Sequence, residues 1–214
     1  MNQSYKNKCI NKAQKLLEKG EKSIISSSSD LIENRGFARE EICTGSNIYR
    51  GYYNPSPVYD LIVGKAKRGK LLKSLNVRTN TFFRYFWDQD NRLRKIIDVY
   101  KGRIAATEYL EYNRNAIIGI NTDEHGLRSV CEQLYHREKI RSVAILQCFP
   151  SGGKNTIINY REERYFYFGD TIEKCIVDIL DYANGEYYYY RFNYKIEYEK
   201  ESITGGHIIS KIIE

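Results

Sequence analysis

The side chains best suited to chemistry are present in this sequence, but they are not spaced for it. Metal ligation needs His, Cys or carboxylate groups clustered at short intervals. The three histidines, His125, His136 and His207, lie far apart, and the five cysteines (Cys9, Cys43, Cys131, Cys148, Cys175) never form a CxxC pair. A Cys–His couple for nucleophilic catalysis would have to be assembled in space, from Cys131 or Cys148 with His136. Cysteines on apolar runs read more simply as small core residues. Glu162-Glu163 offers half of an acid–base pair, but with Arg161 and Arg164 on either side it reads as a solvated charge cluster. Phe149-Pro150-Ser151-Gly152-Gly153-Lys154 lacks the upstream glycine spacing of a phosphate loop and reads as a hairpin turn. No catalytic residue, metal site or cofactor is expected.

Binding chemistry is better represented. Tyr187-Tyr188-Tyr189-Tyr190-Arg191 is the most unusual local sequence, and tyrosine beside arginine is enriched where proteins meet. Strand alternation over 187–199 places Tyr188, Tyr190, Phe192, Tyr194, Ile196 and Tyr198 on a core face. That leaves Tyr187, Tyr189 and Arg191 outward, unless the N-terminal segment covers them. Phe83, Tyr85 and Trp87 likewise share one face, with Arg84 and Phe86 on the other. Tyr187, Tyr189, Arg191, Arg84 and Phe86 are therefore the candidate partner-binding residues. A second candidate surface is basic: Lys65, Lys67, Arg68, Lys70 and Lys73, in and after a loop flanked by Gly64 and Gly69, would suit nucleic acid.

The elements that must position these residues follow from composition and pattern. The chain has 214 residues, 42% hydrophobic and 29% charged, enough for an ordinary core and too apolar for wholesale disorder. Its net charge of +7 is uneven. Residues 1–80 hold 15 Lys and Arg against 7 Asp and Glu, whereas residues 81–214 hold 19 against 20. The basic segment and the near-neutral remainder are read as two parts. The odd, scattered cysteines read as reduced thiols of a cytoplasmic protein, and no run is long enough to span a membrane.

Residues 5–19 predict an amphipathic helix, capped by Ser4 and stopped by Gly20. Cys9, Ile10, Ala13, Leu16 and Leu17 lie on one face, and Lys8, Lys12, Lys15 and Lys19 on the other. Ser26-Ser27-Ser28-Ser29-Asp30 reads as a loop before a second helix start. Short strands are expected at 49–53 and 58–63, and Asn54-Pro55-Ser56-Pro57 reads as a breaker. From Thr81 onward, turn signals recur every ten to twenty residues between Tyr-, Ile- and Val-rich runs, as a series of β-hairpins requires. The series reads as irregular after about Asn121. In 104–112, Ile104, Ala106, Leu110 and Tyr112 share a face, with Glu108 as the exception. Residues 127–138 fit a helix better than a strand, and 171–182 fit either a doubly covered strand or a short helix. The expected fold is mainly β (α+β): a twisted antiparallel meander sheet covered by the N-terminal helix.

Tyr85-Phe86-Trp87-Asp88-Gln89-Asp90-Asn91-Arg92-Leu93 resembles the hairpin unit of bacterial YD-type and MORN-like meander repeats, with Tyr109 to Ile117 as a second match. Asn91 and Asn115 stand where the family turn has glycine. Meanders of this kind occur among antitoxin and immunity proteins of bacterial toxin systems. The resemblance implies a non-enzymatic protein that neutralises a toxin domain by occluding its active site. The alternative is nucleic-acid binding by the basic N-terminal segment.

Overall fold

The computed structural model describes residues 2–27, 36–44, 53–58, 70–75, 80–151, 153–200 and 207–213. Among the described residues twelve strands form one antiparallel sheet: β1 (Arg39–Cys43), β2 (Leu71–Leu72), β3 (Phe82–Trp87), β4 (Leu93–Tyr100), β5 (Arg103–Asn113), β6 (Ala116–Asp123), β7 (Gly126–His136), β8 (Lys139–Ser151), β9 (Lys154–Phe168), β10 (Thr171–Ala183), β11 (Glu186–Lys200) and β12 (His207–Ile213). From β3 to β12 each strand pairs with the next in sequence. β1 lies beside β3, and β2 forms the far edge. The hairpin ladder thus continues past Asn121 to the last strand, and its units lengthen instead of breaking down. Positive φ at both Lys101-Gly102 and Asn184-Gly185 is the conformation that two-residue hairpin loops demand, and Asn91 takes a positive φ in the longer connection between β3 and β4.

Residues 127–138 correct the helical expectation, and the reason is a bulge. Thr122 pairs with Leu127 and Asn121 with Ser129, so Arg128 is the extra residue. The bulge puts Leu127 and Val130, three apart, in the same apolar cluster, which imitates helical spacing within a strand. Residues 171–182 adopt the doubly covered strand alternative. Leu180 packs on the side that carries the helix, and Cys175 and Val177 pack on the other.

The helix α1 (Asn2–Ser27) lies across β6 to β11. Cys9, Ala13 and Leu16 are buried against Ile118, Ile120, Val130, Leu146, Tyr160 and Leu180. Two of its lysines reach the sheet: Lys12 Nζ is 2.6 Å from Glu162, and Lys19 pairs with Glu132. The helix does not stop at Gly20. That residue is buried, and a Cβ built on it would stand 2.4 Å from Val130 Cγ2 and 3.3 Å from Leu127 Cδ2. The glycine permits close helix-to-sheet approach, and the helix continues for seven residues, including Ser26 and Ser27 of the expected loop. Gly20→Val should lower stability by about 1–3 kcal/mol by overpacking against a β-branched neighbour. Thermal unfolding of the variant checks this, and an unchanged or raised Tm would show that the helix rides higher on the sheet.

The opposite face of the sheet holds the larger core, from Cys43, Tyr85, Trp87, Leu93 and Ile96 through Leu110, Cys131 and Val143 to Tyr165, Val177 and Ile196. Residues 53–58 pack on this face, with Tyr53 and Val58 buried in it. The expected strand at 49–53 and the second helix start near Asp30 fall on or run into residues outside those described, as does 58–63 beyond Val58.

Candidate functional site

Three polar constellations stand out on the sheet, and the sequence reading anticipated only parts of them. The first is buried beneath residues 53–58. Glu108 on β5 and Glu163 on β9 are each 1% exposed, and Gln133 on β7 is 2% exposed. Glu108 Oε2 accepts the Tyr53 N–H at 2.6 Å, and the Tyr53 hydroxyl donates to Gln133 Oε1. Glu163 accepts from Ser56 Oγ at 2.5 Å, from the Tyr165 hydroxyl, and from Arg161 Nε at 2.8 Å. A short strap is therefore fastened across alternate strands by side chains that the core encloses. Burial pushes the Glu108 carboxyl up to about 8, against which the Tyr53 N–H acts only weakly. Glu162 and Glu163 are not a solvated pair: they point to opposite faces, one to the Lys12 ammonium and the other into the core.

The second constellation is under α1. Asp178, 4% exposed, accepts from Arg191 Nε at 2.6 Å and Nη2 at 2.9 Å, from the Tyr189 hydroxyl at 2.6 Å and from Arg164 Nη2 at 2.5 Å. Burial raises the Asp178 carboxyl, but the bonds from Arg191 and Tyr189 and the two guanidinium charges outweigh it and leave it below its ordinary value. The Tyr5 ring of α1 covers Arg191, 4.2 Å from the guanidinium carbon. Tyr187, Tyr189 and Arg191 are thus half-buried on the helix side and do not form the wet face expected of them. The exposed members of the run are Tyr188 at 42% and Tyr190 at 46%, on the opposite side. The alternation is real, but the N-terminal helix covers the side read as outward.

The third constellation brings together Arg84 and Phe86. On the helix side of the sheet, beyond the part α1 covers, a groove of about 510 Å³ is lined by Phe37, Ala38, Arg39, Glu40, Arg84, Phe86 and Ile97. Phe86 is its floor, 8% exposed, and the Phe37 ring lies over it with centroids 5.2 Å apart. The Arg84 guanidinium carbon is 5.0 Å from the Phe86 centroid. Arg84 grips Glu40 with a fork of two bonds, Nε–Oε1 at 2.7 Å and Nη2–Oε2 at 3.1 Å. Lys95 is not part of the lining but stands next to it: it faces Phe86 in register, its Nζ 5.9 Å from that ring and 5.3 Å from Tyr109. Sequence reasoning missed Phe37 and Glu40, because β1 is brought beside β3 only by the fold, and it missed Lys95, which the β3–β4 hairpin sets opposite Phe86.

Among the alternative basic residues, Lys70 and Lys73 are exposed beside the short edge strand β2. Lys65, Lys67 and Arg68 lie outside the described residues. All five cysteines are buried, and none is in a disulfide. Burial drives Cys9 and Cys175 up to about 12, Cys148 up to about 11, and Cys131 well above the ordinary thiol value. None of these four is a ready thiolate at neutral pH. His125 and His136 are exposed. No group of three or more His, Cys, Asp or Glu side chains is placed to hold a metal ion among the described residues. No helix among them is long and apolar enough to cross a membrane. No protein-family model matches the chain, and no curated protein or solved structure does so either.

Proposed function

We propose that this chain is a non-enzymatic protein-binding protein, of the immunity or antitoxin type, that neutralises a bacterial toxin domain by occluding its active site. The observation that carries the reading is the groove of Phe37, Arg84 and Phe86. It offers the half-buried Phe37 ring over Phe86 and the Arg84 guanidinium, with Arg84 and Phe86 held on β3 by backbone pairing to β1 and β4. Aromatic and arginine side chains in a pre-formed depression are what protein-interface anchors require. The surplus positive charge of the first 80 residues supports fast association with an acidic partner face. Five cysteines with no disulfide among them support residence in a reducing compartment such as the cytoplasm.

The test is co-expression with a toxin domain encoded beside this chain, together with titration calorimetry of the purified pair. Protection of the host and a one-to-one complex are expected. Loss of viability with no complex at micromolar concentrations overturns the reading.

A further inference from the structure

Lys95 is a cation in an unusual position. Burial, followed by the neighbouring Arg84 charge, lowers its pKa from the ordinary lysine value, and it makes no ion pair among the described residues. Its ammonium stands beside two aromatic rings, which attract a cation but do not neutralise it. Arg84 is different, because Glu40 satisfies it in a fork. The groove and its flank therefore hold Arg39, Arg84 and Lys95; Arg39 pairs with Glu41 and Arg84 with Glu40, which leaves Lys95 as the cation with no carboxylate among the described residues. A half-desolvated charge without a counter-charge is stabilised by any carboxylate that reaches it. Glu40 itself demonstrates the geometry, since its carboxylate already sits on the Arg84 fork beside the Phe86 ring.

We propose that the groove between β1, β3 and β4 recognises an acidic side chain of a partner protein. The incoming carboxylate is held by Lys95 and shared with Arg84, and an apolar flanking residue rests on Phe37 and Phe86. Glu40 acts as a built-in competitor for Arg84. The inference rests on the protein-binding reading and names the chemistry of that surface. A protein carboxylate is favoured over nucleic acid because the supply of cations is small and local. Residues 81–214 carry 19 basic against 20 acidic groups, and Glu40 and Glu41 flank the groove in sequence. A polyanion needs a row of cations to release its counterions, whereas one carboxylate needs two.

The probe is the blocked peptide acetyl-Gly-Phe-Asp-Phe-amide, titrated into the 15N-labelled full chain, with its Asn analogue and an oligothymidylate in parallel. Amide shifts confined to Phe37, Arg84, Phe86, Lys95 and their neighbours are expected, with the Asp peptide at least fivefold tighter than the Asn peptide. Lys95→Met should abolish that preference, and Glu40→Gln should tighten the Asp peptide severalfold by freeing Arg84. A merely structural role for Glu40 predicts weakening or no change. Absence of shifts at 10 mM peptide, equal binding of Asp and Asn peptides, or tighter binding of the oligonucleotide at the same residues overturns the proposal. The two readings can fail separately. Toxin neutralisation that survives Lys95→Met unchanged removes the groove assignment and leaves protein binding in place. Charge-selective peptide binding without toxin protection does the reverse.

Discussion

Glu163→Leu should lower the unfolding free energy by about 3–5 kcal/mol, the loss expected when one partner of a buried ion pair is removed. Leucine fills much of the space, so the loss comes from polar groups and not from a cavity. Glu163 accepts from Ser56, Tyr165 and Arg161 at a position 1% exposed. Without it, two buried hydroxyls lose their acceptor and the Arg161 guanidinium loses the carboxylate at 2.8 Å. Each buried donor deprived of an acceptor costs about 1–3 kcal/mol. In urea the midpoint should fall by at least about 1 M, since the slope for small proteins is about 1–3 kcal/mol per M. Glu163→Gln keeps one acceptor oxygen and should lose less. The strap supplies a second readout. Ser56 is held by Glu163, so chymotrypsin should cut after Tyr53 faster in the variant. A loss below about 1 kcal/mol with unchanged cleavage would mean that water reaches the carboxylate and that the strap is fastened elsewhere.

The contrast between Glu163 and Glu108 shows what the sequence makes legible. Glu108 stood out as the one charged residue on an otherwise apolar face of 104–112, and the structure encloses it in the core. Glu163 gave no such signal, because Arg161 and Arg164 beside it made the stretch look solvated. Those two arginines point to opposite faces, each toward a different buried carboxylate. Charge in a local window does not reveal which face of a strand is covered.

The same limit explains the tyrosine run. Period-2 alternation over 187–199 predicts a strand, which β11 is, but alternation alone assigns Tyr187, Tyr189 and Arg191 to a wet side. A helix more than 150 residues away in sequence covers that side, and Arg191 ends on Asp178 beneath it. The meander itself was legible because its turns and its alternation are both local. The strap was not, since a segment containing two prolines reads as a breaker whether it lies in water or across a core. The groove was legible on β3 alone. Arg84 and Phe86 could be picked out by alternation, whereas Phe37 and Glu40 join them only through the pairing of β1 with β3.

Glu108→Gln should make stability nearly independent of pH where the parent protein loses it. In the folded state the Glu108 carboxyl is raised from 4.5 to about 8 by burial. Between those values the folded chain keeps a proton that the unfolded chain has released. A state that holds the extra proton is penalised as the proton becomes scarcer, so stability falls as pH rises from about 4.5 to about 8 and then levels off. The ceiling on this loss is about 5 kcal/mol, at 1.36 kcal/mol per pH unit. Geometry supports a neutral carboxyl. Oε2 accepts a single backbone N–H, from Tyr53, and no cation pairs with Glu108 among the described residues. Oε1 occupies the space left by Gly119, where a Cβ would come within 2.9 Å of it. Glutamine keeps the carbonyl oxygen for Tyr53 and has no proton to lose. Urea unfolding at pH 5, 6.5 and 8.5 should therefore give similar stabilities for the two proteins at pH 5 and a clear advantage for Glu108→Gln at pH 8.5. Asp178 does not blur the comparison. Its folded value is depressed, so its contribution is lost only as pH falls through the acid range below its ordinary value. Parallel pH profiles for parent and variant would show that Glu108 is ionised in the folded protein and that its burial is compensated by a charge.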